Sequence, residues 1–291
     1  LHISVEANGC SSVLGTSGTR DVTGATVRKK RADGRAVDDV PAYRQIMPYI
    51  MRGRNESAVL LEQKIDVSTT LRFVEGFDED PQPRVFDVLM WSAVQTLSHF
   101  PKLNRFVAGG RLYQRDGIWL SYSAKKEMAE AAPVIVLKRQ FDPNESFSEM
   151  VRAMRSQLAG GRTSERSYTD DELDLVLRLK GLPLRMLLGL ERVGDAFGLL
   201  PRSYVENDPL FASAFVANLG SLGLDAAYHH LYEYGTISMF CAMGRVHDKD
   251  GAPKLTLKYS YDERVEDGFY AHEAIEYLRG LIEDPRSAGA V

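Results

Sequence analysis

Three stretches of the chain carry side chains able to do chemistry. The run Asp262-Glu263-Arg264-Val265-Glu266-Asp267-Gly268 sets carboxylates around one guanidinium, and a carboxylate whose pKa is raised by burial could accept a proton as a general base. The run His229-His230-Leu231-Tyr232-Glu233 contains His-x-x-Glu, metal-compatible in composition, and His229 or His230 could serve as an alternative base. Two ligands without a third assign no metal. Arg105, Arg111 and Arg115 could face a phosphate, although scattered Arg is the ordinary surface pattern. His99, at a helix end, and His272 read as structural or surface residues. The sequence has no Ser-His-Asp order, Walker loop, Gly-rich dinucleotide fingerprint or aromatic-interleaved basic patch.

The elements that must hold these residues follow from periodicity. Leu255, Leu257, Tyr259 and Tyr261 alternate with Thr256, Lys258 and Ser260, the period of a half-buried strand. Ala271, Ile275, Leu278 and Ile282 then make one apolar helical stripe that Pro285 ends. Upstream, Val40 to Arg54 predicts a short helix interrupted at Pro48, Ala58 to Val67 a strand, and Arg84 to Phe100 a buried helix. Gly109 to Tyr122 predicts two short strands around an Asp116-Gly117 turn, and Ala132 to Lys138 another strand. Glu145 to Leu158 predicts a helix capped by Asn144 or Asp142. Asp170 to Leu200 packs leucines densely, as two helices broken near Gly181-Pro183 facing a core, a partner or a lipid. Strands and helices alternate without the rhythm of a doubly wound sheet, which predicts a mixed sheet with helices on its faces.

The 291 residues, 44% hydrophobic and 26% charged with a net charge of −4, exclude gross disorder and give no electrostatic reason to expect nucleic acid. Two cysteines, Cys10 and Cys241, make no disulfide framework and point to a reducing cytoplasm. No apolar run approaches the roughly 20 residues of a membrane span. Leu1-His2-Ile3-Ser4 lacks the features of a signal peptide and an initiator Met, so the expectation is a processed product or a piece of a longer polypeptide. Residues 1–39, including the basic run Arg28-Lys29-Lys30-Arg31, read as a solvated arm or linker, 40–285 as one domain with the leucine-rich insert at about 170–200, and 286–291 as a tail.

Placed between a strand and a helix, Asp262, Arg264, Asp267 and Gly268 resemble the Asp-His-Arg-x-x-Asp-Gly signature of the catalytic domain of dihydrolipoamide acyltransferases, relatives of chloramphenicol acetyltransferase. Phe211 to Gly223 resembles the same family's Thr-Phe-Thr-[Ile/Val]-Ser-Asn-Leu-Gly-x-x-Gly, with Asn218, Leu219, Gly220 and Gly223 in register. Pro101-Lys102-Leu103-Asn104 and Phe240 to Arg245 extend the likeness, which covers Val40 to Pro285. It implies a two-layer α/β sandwich of chloramphenicol acetyltransferase type, a homotrimer or multiple of three with sites between neighbouring subunits, and coenzyme A as acyl carrier. It also brings in 2-oxo-acid dehydrogenase components, or another domain of a longer chain, as partners. By the same resemblance Arg264 and Asp267 are structural, Asp267 pairing with an Arg to hold the turn, and Gly268 serves close packing.

Two positions depart from the family. Its catalytic His is Glu263 here, and its oxyanion Ser is Ala217. A carboxylate of pKa about 4.3 is a poor base for a thiol of about 8.5, and losing an oxyanion donor costs on the order of 10²–10³ in rate. Only a neighbour such as Ser213 or Asn218, or a water, could replace the missing hydroxyl. The expectation is therefore a catalytically degenerate acyltransferase-like domain acting as a trimeric scaffold or binding module. The alternatives are an active coenzyme A-dependent acyltransferase with relocated groups, or an interaction protein docking through the leucine-rich insert.

Overall fold

The computed structural model describes residues 30–125, 134–163, 180–249, 252–287, 289 and 290. In chain order its elements are β1 (Gly34–Ala36), α1 (Ala42–Ile50), β2 (Ala58–Asp66), α2 (Ser68–Glu75), α3 (Val85–His99), β3 (Arg105–Ala108), β4 (Arg111–Arg115), β5 (Ile118–Lys125) and β6 (Val134–Phe141). There follow α4 (Phe147–Thr163), α5 (Leu182–Ala196), α6 (Arg202–Asn207), β7 (Ala214–Asn218), β8 (Met239–Lys249), β9 (Ala252–Asp262) and α7 (Gly268–Glu283).

Six strands form one mixed sheet in the order β2-β9-β8-β7-β5-β6, and β1, β4 and β3 form a small antiparallel one. The centre of the large sheet is parallel, β8 to β7 to β5, and its flanks are antiparallel. The alternation read in β9 decides its faces. Leu255, Leu257, Tyr259 and Tyr261 are buried with Val216, Cys241 and Met243 under α3 and α7, each large side chain contributing about 1.5–3 kcal/mol. On the other face Phe215, Ala217, Phe240 and Ala242 lie beneath irregular chain bearing Ala212, Leu231 and Ile237. The result is the expected two-layer α/β sandwich built on a mixed sheet.

Several local expectations change. Helix α1 runs through Pro48, which forfeits one backbone bond while its ring is buried. Asp116-Gly117 makes the expected turn between β4 and β5, Gly117 at φ +77°, but the two strands lie in different sheets, β4 pairing with β1 and β3 and β5 with β6 and β7. Helix α4 begins in a reciprocal box in which Ser146 and Glu149 exchange backbone and side-chain bonds, so neither Asn144 nor Asp142 is its cap. Within the expected arm, residues 34–36 are a strand, and Arg31 is buried against Asp33 and Asp195.

In the leucine-rich insert, Gly181 (φ +69°) precedes α5 and Pro183 sits in its first turn. Helix α5 buries none of its side chains, with Leu182 and Leu190 about 70% exposed. Residues 1–29 and 170–179, on which the linker and the first half of the insert were placed, lie outside the described residues. Among the described residues no helix is long and apolar enough to cross a membrane.

Candidate functional site

The junction between β9 and α7 is held by buried charge. Asp262, fully buried, accepts from Arg264 Nε at 2.8 Å and Nη2 at 2.7 Å and from Ser57 Oγ at 2.8 Å. Arg264 spends its remaining nitrogen on the carbonyls of Met51 and Arg52. This fork-on-fork geometry holds two desolvated charges at once. Glu266, also buried, lies 3.1 Å from Arg44, 3.2 Å from Arg105 and 3.7 Å from Lys102. Arg44 also donates to the Glu263 carbonyl at 3.0 Å. The carboxylate paired with Arg264 is therefore Asp262. Asp267 is half exposed, caps α7 by accepting from the Tyr270 backbone N–H at 2.9 Å, and has its nearest guanidinium, Arg44, at 3.6 Å. Gly268 is not required for packing, since an added Cβ would meet the Tyr261 hydroxyl at an ordinary 3.7 Å.

Within this clamp Glu263 is fixed by its backbone alone, its N–H on the Ser57 carbonyl and its own carbonyl on Arg44. Among the described residues no donor reaches its half-buried carboxylate. A catalytic base is normally oriented by a third group, and none of the described residues orients Glu263. Beside it the Tyr261 hydroxyl is buried without a partner, and burial, then the Glu263 and Asp267 charges, push its pKa up to about 12.

Ala217 lies elsewhere. Its row across the sheet is Ser123, Ala217, Ala242, Lys258 and Glu62. Glu263 is five residues beyond Lys258 along β9, about 17 Å, and two strands across, about 10 Å, so the two positions are roughly 20 Å apart in one chain. Neither expected substitute donor serves Ala217. Ser213 sits four residues away and accepts from the Trp119 N–H, while Asn218 faces the other side and accepts from the Ser221 N–H at 3.0 Å. The hydroxyl the sequence reading missed is Ser123, on the adjacent strand and the same face; only sheet register reveals it.

The turn after β7 explains its glycines. Gly223 has φ +74°, and a Cβ on Gly220 would stand 2.5 Å from the Gly244 carbonyl oxygen. Gly220→Ala is therefore expected to destabilise by about 1–3 kcal/mol through forced separation of β7 and β8, whereas Ser221→Ala should stay under about 1 kcal/mol. Urea midpoints compare the two, and equal shifts would refute the close-approach argument.

His229 donates from Nδ1 to the His230 carbonyl at 2.7 Å; because a carbonyl only accepts, Nδ1 carries the proton and Nε2 keeps a lone pair. Its ring stacks on Phe240 at 4.0 Å, and its own carbonyl accepts from Ser260. Burial lowers its pKa, so it is neutral at pH 7. Phe240 is two residues from Ala242 along β8, which places His229 about 7 Å from the row of Ala217 and Ser123. His230 is exposed and stacks on His229. Glu233 accepts instead from the backbone of Arg54 and Asn55, and no group of three metal-ligating side chains gathers among the described residues. His99 stacks on Tyr277, and His272 is exposed. Arg105 is committed to Glu266, Arg115 is buried against Thr236, and Arg111 opens β4.

No protein-family model matches the sequence, and no curated protein does. Solved structures do match. A probable dihydrolipoamide acetyltransferase from Listeria monocytogenes aligns over 86% of this chain and 95% of its own at 14% identity with a TM-score of 0.56. A truncated catalytic core of the 2-oxoacid dehydrogenase multienzyme complex from Thermoplasma acidophilum aligns over 86% and 98% at 14% identity and 0.57. A chloramphenicol acetyltransferase aligns over 86% and 99% at 9% identity and 0.55. The chain thus has the chloramphenicol acetyltransferase-like acyltransferase fold.

Proposed function

We propose that this is an acyltransferase-fold scaffold or binding module, trimeric, that has given up conventional coenzyme A-dependent acyl transfer. The observation carrying the reading is a contrast within one loop: Asp262 and Arg264 make a fully bonded buried clamp, while among the described residues the Glu263 carboxylate at the family's base position has no orienting partner. Ala217 supplies no oxyanion donor. Of the three Arg residues weighed as phosphate contacts, Arg105 is engaged by Glu266 and Arg115 is buried against Thr236. The test is thiol release from acetyl-CoA with dihydrolipoamide, on the wild type and Glu263→Gln. Both are expected at background, and turnover abolished by Glu263→Gln would identify a working carboxylate base and overturn the proposal.

A second reading, an active enzyme with relocated groups, is favoured by one observation. His229 presents a free Nε2 on the same sheet face as the Ser123 hydroxyl, a base and a donor at the ends of a short span. Under it, activity in the same assay would survive Glu263→Gln and vanish in His229→Gln.

A further inference from the structure

Away from that site, a cavity of about 370 Å³ opens between β5, β6, α6 and the small sheet. Lys138 on β6 reaches it. Its Nζ donates to the carbonyls of Val205 at 2.6 Å and Asp208 at 3.1 Å, and it stands 4.9 Å from the centre of the Trp119 ring. Among the described residues no carboxylate forms an ion pair with it. We propose that Lys138 is an acylation site, its ε-amine taking an acyl group from a small acyl phosphate that enters this cavity.

Three observations support the chemistry. A neutral amine has two hydrogens, and the two carbonyls occupy both, leaving its lone pair to point away from them into the cavity. The groups facing it from neighbouring elements are Arg115 on β4, Asp208 and Glu206 at the end of α6, and Asp33 before β1. Burial, then the Arg115 charge, outweigh those carboxylates and bring the amine down to about 7, the means by which lysines become nucleophiles. Arg202 at the rim is paired with Glu206, but with Lys138 neutral the lining cations Lys30, Arg31, Arg115 and Arg202 still outnumber Asp33, Asp116 and Glu206 by one, which favours an anionic donor, and the volume suits an acyl phosphate rather than the nucleotide of coenzyme A.

In the step, the Nζ lone pair attacks the acyl carbon and an N–C bond forms. The C–O bond to phosphate breaks, phosphate leaves with the electron pair, and one Nζ proton passes to it or to water. The resulting amide keeps a single N–H, so one of the Val205 and Asp208 carbonyls loses its donor and the seam between α6 and β6 loosens.

The test incubates the full chain with acetyl phosphate from pH 6 to 9 and quantifies acetylation of each lysine by peptide mass spectrometry. Exposed Lys64, 72% accessible, is the internal reference. At pH 7 Lys138 is expected to react about 30-fold faster than Lys64, the gain in neutral amine less the nucleophilicity lost with basicity. Its rate should level off above pH 7. Lys138→Arg should carry one acetyl fewer by intact mass. Equal labelling of Lys138 and Lys64, a Lys138 rate still rising at pH 9, or faster labelling by equimolar acetyl-CoA would each overturn the proposal.

Discussion

Arg264→Met is expected to destabilise the fold by about 3–5 kcal/mol, the loss found when one partner of a buried ion pair is removed and the other stays charged. Asp262 is fully buried, and without the guanidinium only the Ser57 hydroxyl and the Arg264 backbone N–H still reach it. The carbonyls of Met51 and Arg52 lose their donor as well. Glu263→Ala, one residue away, should change stability by less than about 0.5 kcal/mol, because no side-chain bond is broken. Pairing Arg264→Met with Asp262→Asn should recover part of the loss by removing the stranded charge. Urea midpoints at one fixed protein concentration measure all of these. Similar shifts for Arg264→Met and Glu263→Ala would mean that the clamp does not hold the loop.

Restoring acyl transfer is expected to need two substitutions. Glu263→His supplies an imidazole, ordinarily of pKa about 6.5 and better matched than a carboxylate to a thiol of about 8.5, yet it leaves the oxyanion without a hydroxyl at Ala217. Adding Ala217→Ser should raise thiol release over Glu263→His alone by on the order of 10²–10³. Under the trimeric reading proposed above, the gain comes from groups on different copies, because the two positions are roughly 20 Å apart within a chain. Mixing the Glu263→His and Ala217→Ser single variants and letting them reassemble should then yield activity that neither has alone. Vigorous turnover by Glu263→His alone would sink this prediction.

What could be read from the sequence was whatever depends on neighbours in sequence. The alternation of Leu255 to Tyr261 and the stripe from Ala271 to Ile282 became β9 and α7 with the faces expected, because period is a property of one segment. The clamp was only half legible. Asp262 and Arg264 are two residues apart, but Arg44, Arg105 and Ser57 arrive from α1, β3 and the approach to β2, and no spacing announces them. Glu266 stood in the motif as an unassigned acid and is the carboxylate on which three cations converge. Asp267 keeps the structural role expected of it, capping α7 and standing 3.6 Å from Arg44, while the buried partner of Arg264 is Asp262. Ser123 became a candidate only through the parallel register of β5 and β7.

The pairing of β2 with β9, from Ala58 opposite Asp262 to Asp66 opposite Lys254, ties the first strand of the large sheet to its last. A chain leaving the ribosome carries β2 without its partner until all the elements between them, α2 to β8, have been synthesised. Such distant closure is slow, and it leaves a strand open to foreign pairing while it waits. The strand's own residues blunt that hazard. Glu62, Lys64 and Asp66 interrupt Leu60, Leu61 and Ile65, and charge along an unpaired edge is how sheet proteins discourage a second chain from docking there.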